Sequence, residues 1–243
     1  MAEEKKDVEQ KKGESSIGEA IEPNKSGTGF TTDRIETTIG EGWMKNKRVI
    51  TGALIGVVVL IAGIFWWGSQ QQQKELDAQS ASATTFRYFE IDSTQQALNA
   101  DANRLGLLQI ADEYGSTPTG NLARYMAGVA LVEAKQPDQA LEQLEAYDEN
   151  GSILEATHYS TIAAAHEQRG DMIAAAEAYK KAAEIDANSF TSPFFLMEAG
   201  RCFEQAGDKA QAKAVYESVK AEYPNSREGR SIEKYIARVN VGG

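Results

Sequence analysis

The 243-residue chain sets 25 Lys and Arg against 36 Asp and Glu, for a net charge of -11. Up to Gly68, 9 basic and 10 acidic residues nearly cancel, so the excess lies beyond it, at 16 against 26. That acidic part is repelled by nucleic acid and by anionic lipid headgroups, and a single cysteine, Cys202, excludes an intrachain disulfide.

Residues 1–42 are rich in Glu, Lys, Gly, Ser and Thr and hold almost no large apolar side chain before Phe30. Such a segment cannot bury enough apolar surface to offset its ordering entropy, so it is expected to be a disordered tail. An uncharged apolar run follows, Val49 to Trp67, inside an expected membrane anchor at 43–68. Nineteen residues at about 1.5 Å each span the hydrocarbon core of a bilayer.

Lys45, Lys47 and Arg48 stand directly before the run, whereas Gly68, Ser69 and four glutamines come after it. This asymmetry predicts a cytoplasmic tail and an exported C-terminal part. Trp43, Trp66 and Trp67 mark the two interfaces. A removable signal peptide fits less well, because 48 residues precede the run and Ala81-Ser82-Ala83 lies too far downstream for cleavage. Gly52 and Gly56 form a small-xxx-small pair at which a second membrane helix could pack, although ordinary glycines in a span read the same way.

From Gln70 onward the chain is rich in Ala, Leu, Gln and Glu with helical spacing of apolar residues, so the expected fold class is all-α. Residues 69–120 read as degenerate N-terminal helices. Phe86, Tyr88 and Phe89 mark one, Ser93 to Leu98 open another, and Leu105 to Tyr114 form a third that Gly115 and Pro118 stop.

Residues 121–226 then repeat. Small residues at Gly128, Ala163 and Gly200 are followed three positions on by Leu131, His166 and Phe203. Turns at Pro137-Asp138, Gly170-Asp171 and Gly207-Asp208 lead to Ala140, Ala175 and Ala212, and then to Leu144, Tyr179 and Tyr216. The alanines are separated by 35 and 37 residues. Two antiparallel helices approach closely where both are small, and one hairpin cannot bury its outer face, so hairpins stack into an α-solenoid. Residues 227–243 supply a capping helix and tail.

These residues resemble tetratricopeptide repeats, and the third copy carries Tyr223-Pro224 where that family places a helix-stopping proline. The first two copies depart from it with Ser152 and Ala187. In this family the first helix of each hairpin lines an inner groove. The resemblance places Leu122, Tyr125, Met126 and Val129 there from the first copy, and Ser160, Thr161, Ala164 and Glu167 from the second. From the third come Phe194, Met197, Arg201 and Glu204. The Lys/Asn/Arg clamp that some members use for a terminal carboxylate is absent, and the face reads as apolar and mildly acidic, suiting extended apolar or basic segments of another protein. Coverage of that face by the N-terminal helices or the cap is the competing reading.

Little else points to chemistry. His158 and His166 are eight residues apart and roughly 80° apart around a helix, which is no shared ligand pair. Cys202 reads as a buried structural thiol. Asp112-Glu113 and Asp148-Glu149 read as solvated helix ends, and no phosphate loop, HExxH or GxSxG motif occurs. No enzyme activity, cofactor or metal is expected.

The segments FRYFEIDSTQQALNAD, IADEYGSTPTGNLARY, FTSPFFLMEAG and YPNSREGRSIEKYIAR, with the order tail, span and repeats, resemble the YfgM family of ancillary Sec translocon subunits in its Bacteroidetes-type form. The resemblance runs from about Trp43 to the C-terminus. It implies a single-pass protein of the bacterial inner membrane with its repeats in the periplasm. The implied partners are a SecYEG-type channel, a PpiD-type chaperone and exported chains, with no catalytic residues. An envelope assembly scaffold that never touches translocating chains is the alternative, and an accessory or peptidase-like enzyme domain is a third reading that the missing chemistry disfavours.

Overall fold

The structure is a computed structural model that describes residues 47–241 apart from positions 92, 150, 152 and 186. The tail at 1–42, Trp43 and Lys45 lie outside the described residues, as does Ser152. The described residues are helical throughout and form no strand, with one isolated bridge between Asp101 and Arg104.

The first helix, α1, runs from Lys47 to Glu90. It is long and apolar enough to cross a membrane. It does not stop where the apolar run stops. Gly68 and Ser69 weaken a helix without ending it, and the Gln, Glu, Lys and Ala residues beyond them are strong helix formers. Phe86, Tyr88 and Phe89, expected on a separate helix, therefore belong to α1. By contact the chain divides inside α1, into Met1–Ile61 and Ala62–Gly243. In the first unit the described side chains of the apolar run stand exposed, Leu54, Ile55, Val58 and Leu60 among them. An added Cβ at Gly52 or Gly56 would meet nothing within 4 Å, so both face open space.

In the second unit α2 (Thr94–Leu98) and α3 (Leu107–Glu113) are short. Six helices follow as three hairpins. These are α4 (Pro118–Glu133) with α5 (Pro137–Glu145), α6 (Glu155–Arg169) with α7 (Met172–Ile185), and α8 (Ser192–Gln205) with α9 (Lys209–Glu222). A single 3-10 turn at Gly229–Ser231 leads to α10 (Glu233–Val241). Pro118 follows the end of α3 at Glu113, as expected, and also opens α4. It sits at N1, where its missing N–H costs nothing, and Thr117 caps the helix by accepting from the Gly120 N–H at 3.1 Å.

Each hairpin closes where the sequence pattern places it. A Cβ on Gly128 would come within 2.5 Å of Leu144 Cγ, and one on Gly200 within 2.3 Å of Tyr216 Cε1. Ala140, Ala175 and Ala212 are fully buried at the matching points of the second helices. The turns between the paired helices need a left-handed residue. Gly170 and Gly207 supply it at φ 86° and 82°, and the first hairpin uses Lys135 at φ 60°. Only glycine takes that conformation without steric cost, so the first turn is strained relative to the other two.

Two cores result. The first gathers Leu107, Ile110, Ala127, Leu131, Leu141 and Ala165, and the second Tyr179, Phe203, Tyr216, Val219 and Ile232. Ile162 of α6 packs against both, so the middle hairpin joins them. Each large side chain taken fully out of water here contributes roughly 1.5–3 kcal/mol. Ala78, Ser82 and Thr85 of α1 are buried as well, and Thr85 donates to the Leu105 carbonyl.

One turn recurs at the two ends of the repeats. Thr117 donates its hydroxyl to Tyr114 O and receives the Gly120 N–H, while Ser226 does the same between Tyr223 O and the Gly229 N–H. A Cβ on Gly120 would lie 1.9 Å from Tyr114 O, and one on Gly229 2.0 Å from Tyr223 O. The first copy leads into α4, and the second leads through the 3-10 turn into α10.

Candidate protein-interaction surface

The first helix of each hairpin carries the residues assigned to the inner face, and their environments differ. Leu122, Tyr125 and Val129 on α4 are half-buried. The Tyr125 hydroxyl donates to Thr157 Oγ1 at 3.2 Å, and its ring lies 5.6 Å from that of Tyr147. Met126 and Met197 are only 8% and 7% exposed and belong to the first and second cores. Met126 follows Tyr125 by one position and Met197 follows Phe194 by three, and both side chains turn inward. A partner cannot reach these two side chains.

Phe194 is 47% exposed and its ring meets Phe195 edge to face at 5.6 Å. Arg201 is exposed and pairs with Glu198 on its own helix at 2.8 Å. Ser160 and Thr161 turn their hydroxyls back to the Thr157 carbonyl. Glu167 accepts from the Cys202 thiol at 2.9 Å. Burial, with the Glu167 carboxylate beside it, pushes that thiol up, so it stays a protonated donor and no nucleophile. Glu204 is held by Arg238 through two contacts of 2.6 Å.

Leu122 and Phe194 border different hollows. Leu122 lines a cleft of about 660 Å³ with Pro118, Asn121, Arg124, Tyr147 and Glu149. Asn121 fixes its far wall by exchanging two hydrogen bonds with the Asp148 backbone, at 2.8 and 2.9 Å, and Arg124 reaches the carbonyls of Gly115 and Ala146. Phe194 lines a smaller hollow of about 280 Å³ with Phe190, Arg227 and Glu228. Phe190, 87% exposed, was not singled out by sequence reasoning. Phe190 lies in the turn before α8, two residues ahead of its first position, so no helical period pointed to it.

Glu149, expected to be solvated, stands with its carboxylate 3.3 Å from Nδ1 of the buried His158. Asp112 and Glu113 are exposed, as expected for a helix end. His166, at the position of a packed aromatic, is partly exposed beside Asp171 at 3.8 Å. Among the described residues no three His, Cys, Asp or Glu side chains converge as metal ligands.

Residues 195–226, the third hairpin from Phe195 onward with its closing turn, match the tetratricopeptide repeat profile. The chain carries a tetratricopeptide repeat. Two solved structures show similarity to this chain. They are the nearly identical TPR-like repeats of a candidate kinesin light chain from Podosopora anserina and a single-substitution variant of it. They are 17% and 16% identical, each at a TM-score of 0.49, with 66% of this chain and 84% of theirs covered. No curated protein matches the sequence. The fold is a tetratricopeptide-type all-α arrangement, and such repeats serve as non-catalytic scaffolds for protein partners.

Proposed function

We propose that this protein is a membrane-anchored scaffold that holds protein partners next to a bilayer, crossing it once through the first part of α1. One observation carries the reading: a single helix meets two solvents. From Leu54 to Trp67 its large apolar side chains are more than 45% exposed, whereas Ala78, Ser82 and Thr85 on the same helix are buried against protein. Lipid is the solvent that makes the exposed run favourable.

Within this reading the basic residues before the run put the repeats in the periplasm of a bacterial inner membrane. The YfgM-like features then suit an ancillary subunit at a SecYEG-type channel, beside a PpiD-type chaperone, that assists exported chains. Tyr125 and Phe194, two aromatic side chains of the first helices that are not fully buried, are the proposed contacts. The test is site-specific crosslinking from positions 125 and 194 in intact cells, followed by purification in mild detergent. Capture of channel subunits and newly exported chains supports the translocon role. Capture of one fixed, folded envelope protein from both positions replaces it with the assembly-scaffold role. Crosslinks to lipid alone remove the groove from the mechanism.

A further inference from the structure

His158 is 2% exposed and sits where α5, α6 and the segment after α5 meet. Its Nε2 lies 2.8 Å from the Leu144 carbonyl oxygen. A carbonyl only accepts, so Nε2 carries a hydrogen and donates. Nδ1 faces Glu149 Oε1 at 3.3 Å and makes no hydrogen bond in this geometry. With one ring proton already committed to Nε2, Nδ1 bonds to a carboxylate only if the ring bears a second proton.

Aromatic and charged side chains from the neighbouring helices pack around this pair. Tyr159, next to His158 on α6, has its ring 5.1 Å from the imidazole, and Lys181 of α7 donates to the Tyr159 hydroxyl while its ammonium lies 3.7 Å from the Tyr159 ring centroid. Tyr147 from the segment after α5 and Tyr125 from α4 complete the shell, their rings 5.0 and 6.4 Å from the imidazole. Aromatic faces suit a cation. The titratable groups around His158 are thus Glu149, Tyr125, Tyr147, Tyr159 and, through Tyr159, Lys181.

We infer that His158 and Glu149 form a proton-operated latch on the junction between the first two hairpins. With two ring protons His158 bonds Leu144 and Glu149 together and holds residues 147–149 against α6. Loss of the Nδ1 proton leaves two acceptors facing each other at 3.3 Å, and the segment is released. The same residues form one wall of the 660 Å³ cleft, so the wall responds to pH. This inference stands whether or not the partner reading does.

The experiment uses the full chain in detergent micelles with ¹⁵N-labelled histidine. Only two histidines occur, and His166→Gln assigns their signals. The ring nitrogens of His158 are followed across its titration beside amide exchange of residues 147 and 148, whose N–H groups bond Leu144 O and Asn121 Oδ1. Corrected for intrinsic exchange, protection of these amides is expected to fall about tenfold as Nδ1 loses its proton. In Glu149→Gln the carboxamide donates to the bare Nδ1, so protection persists. In the unaltered chain the Glu149 carboxyl carbon shift follows the His158 titration. Protection that ignores the ring's state, a Glu149 signal that does not move with it, or Glu149→Gln behaving as the parent would each overturn the latch.

Discussion

Glu204 of α8 and Arg238 of α10 clasp each other side by side, Nε to Oε1 and Nη2 to Oε2, both at 2.6 Å. The Tyr216 hydroxyl of α9 adds a third bond to the same carboxylate at 3.1 Å. A two-point Arg–carboxylate contact fixes direction as well as distance, so the terminal helix is oriented on the last hairpin.

The clasp has a pH signature. The Arg238 hydrogen bonds hold the Glu204 carboxyl below the usual range, against the opposing effect of its partial burial and with help from Tyr216. A carboxyl lowered on folding stabilises the fold above its unfolded pKa, and that contribution is lost as pH falls through its lower folded value. Thermal melts below pH 5 should therefore show a loss in the parent that is smaller in Arg238→Gln. At neutral pH that variant should be less stable by about 1 kcal/mol, the size of a partly exposed pair.

Small residues decide helix approach. Replacing Ala175 or Ala212 by Leu, or Gly200 by Ala against the Tyr216 ring, should cost roughly 1–3 kcal/mol through overpacking. Gly200→Ala should exceed Gly128→Ala, because both facing side chains are fully buried but the rigid Tyr216 ring is also tied to Glu204 by its hydroxyl, whereas Leu144 has no such bond. Urea denaturation of the four variants would rank them, and unchanged midpoints at both alanines would contradict the repeat register.

The strained turn offers a gain. Lys135→Gly should raise stability by roughly 0.5–1 kcal/mol, since the left-handed conformation costs an L-residue more than glycine loses in backbone entropy. The corresponding change in the opposite direction, Gly170→Lys, should lower it. Melting temperatures of both variants decide the point.

The orientation proposed for the span is open to protease. Added to spheroplasts, a protease should digest the repeats. Survival until the membrane is permeabilised would place them on the cytoplasmic side and remove the translocon role.

The hairpin register was legible in the sequence because it rests on volume. Gly128 with Leu144 and Gly200 with Tyr216 are small-to-large pairs that only a close helix crossing explains. Boundaries set by weaker forces were harder to see. The change from Trp67 to a glutamine-rich stretch looks like the end of a helix, yet only solvent preference changes there and the backbone continues to Glu90. The inner face was legible only in part. Tyr125 and Phe194 are reachable, but Met126 and Met197 are apolar residues that helical phase turns inward. The turn shared by Tyr114–Gly120 and Tyr223–Gly229 left a trace, Tyr, then Ser or Thr three on, then Gly three further, that is too short to recognise until the hydrogen bonds are seen. Nothing in the sequence foretold that His158 and Glu149 would face each other, since the segment between them follows no helical period.

The second half of α1 is tied to the repeats by Glu75, which accepts from the Thr119 amide at 3.1 Å and from its hydroxyl at 2.6 Å, in the first turn of α4. The two residues are 44 positions apart. At roughly 5–20 residues per second of synthesis, Thr119 follows Glu75 by about 2–9 s. For that interval the helix exists without the surface that receives Ala78 and Thr85, while each hairpin behind it can close as soon as its own two helices are made. The growing chain thus acquires its long apolar helix first and the fastening of that helix to the repeats several seconds later.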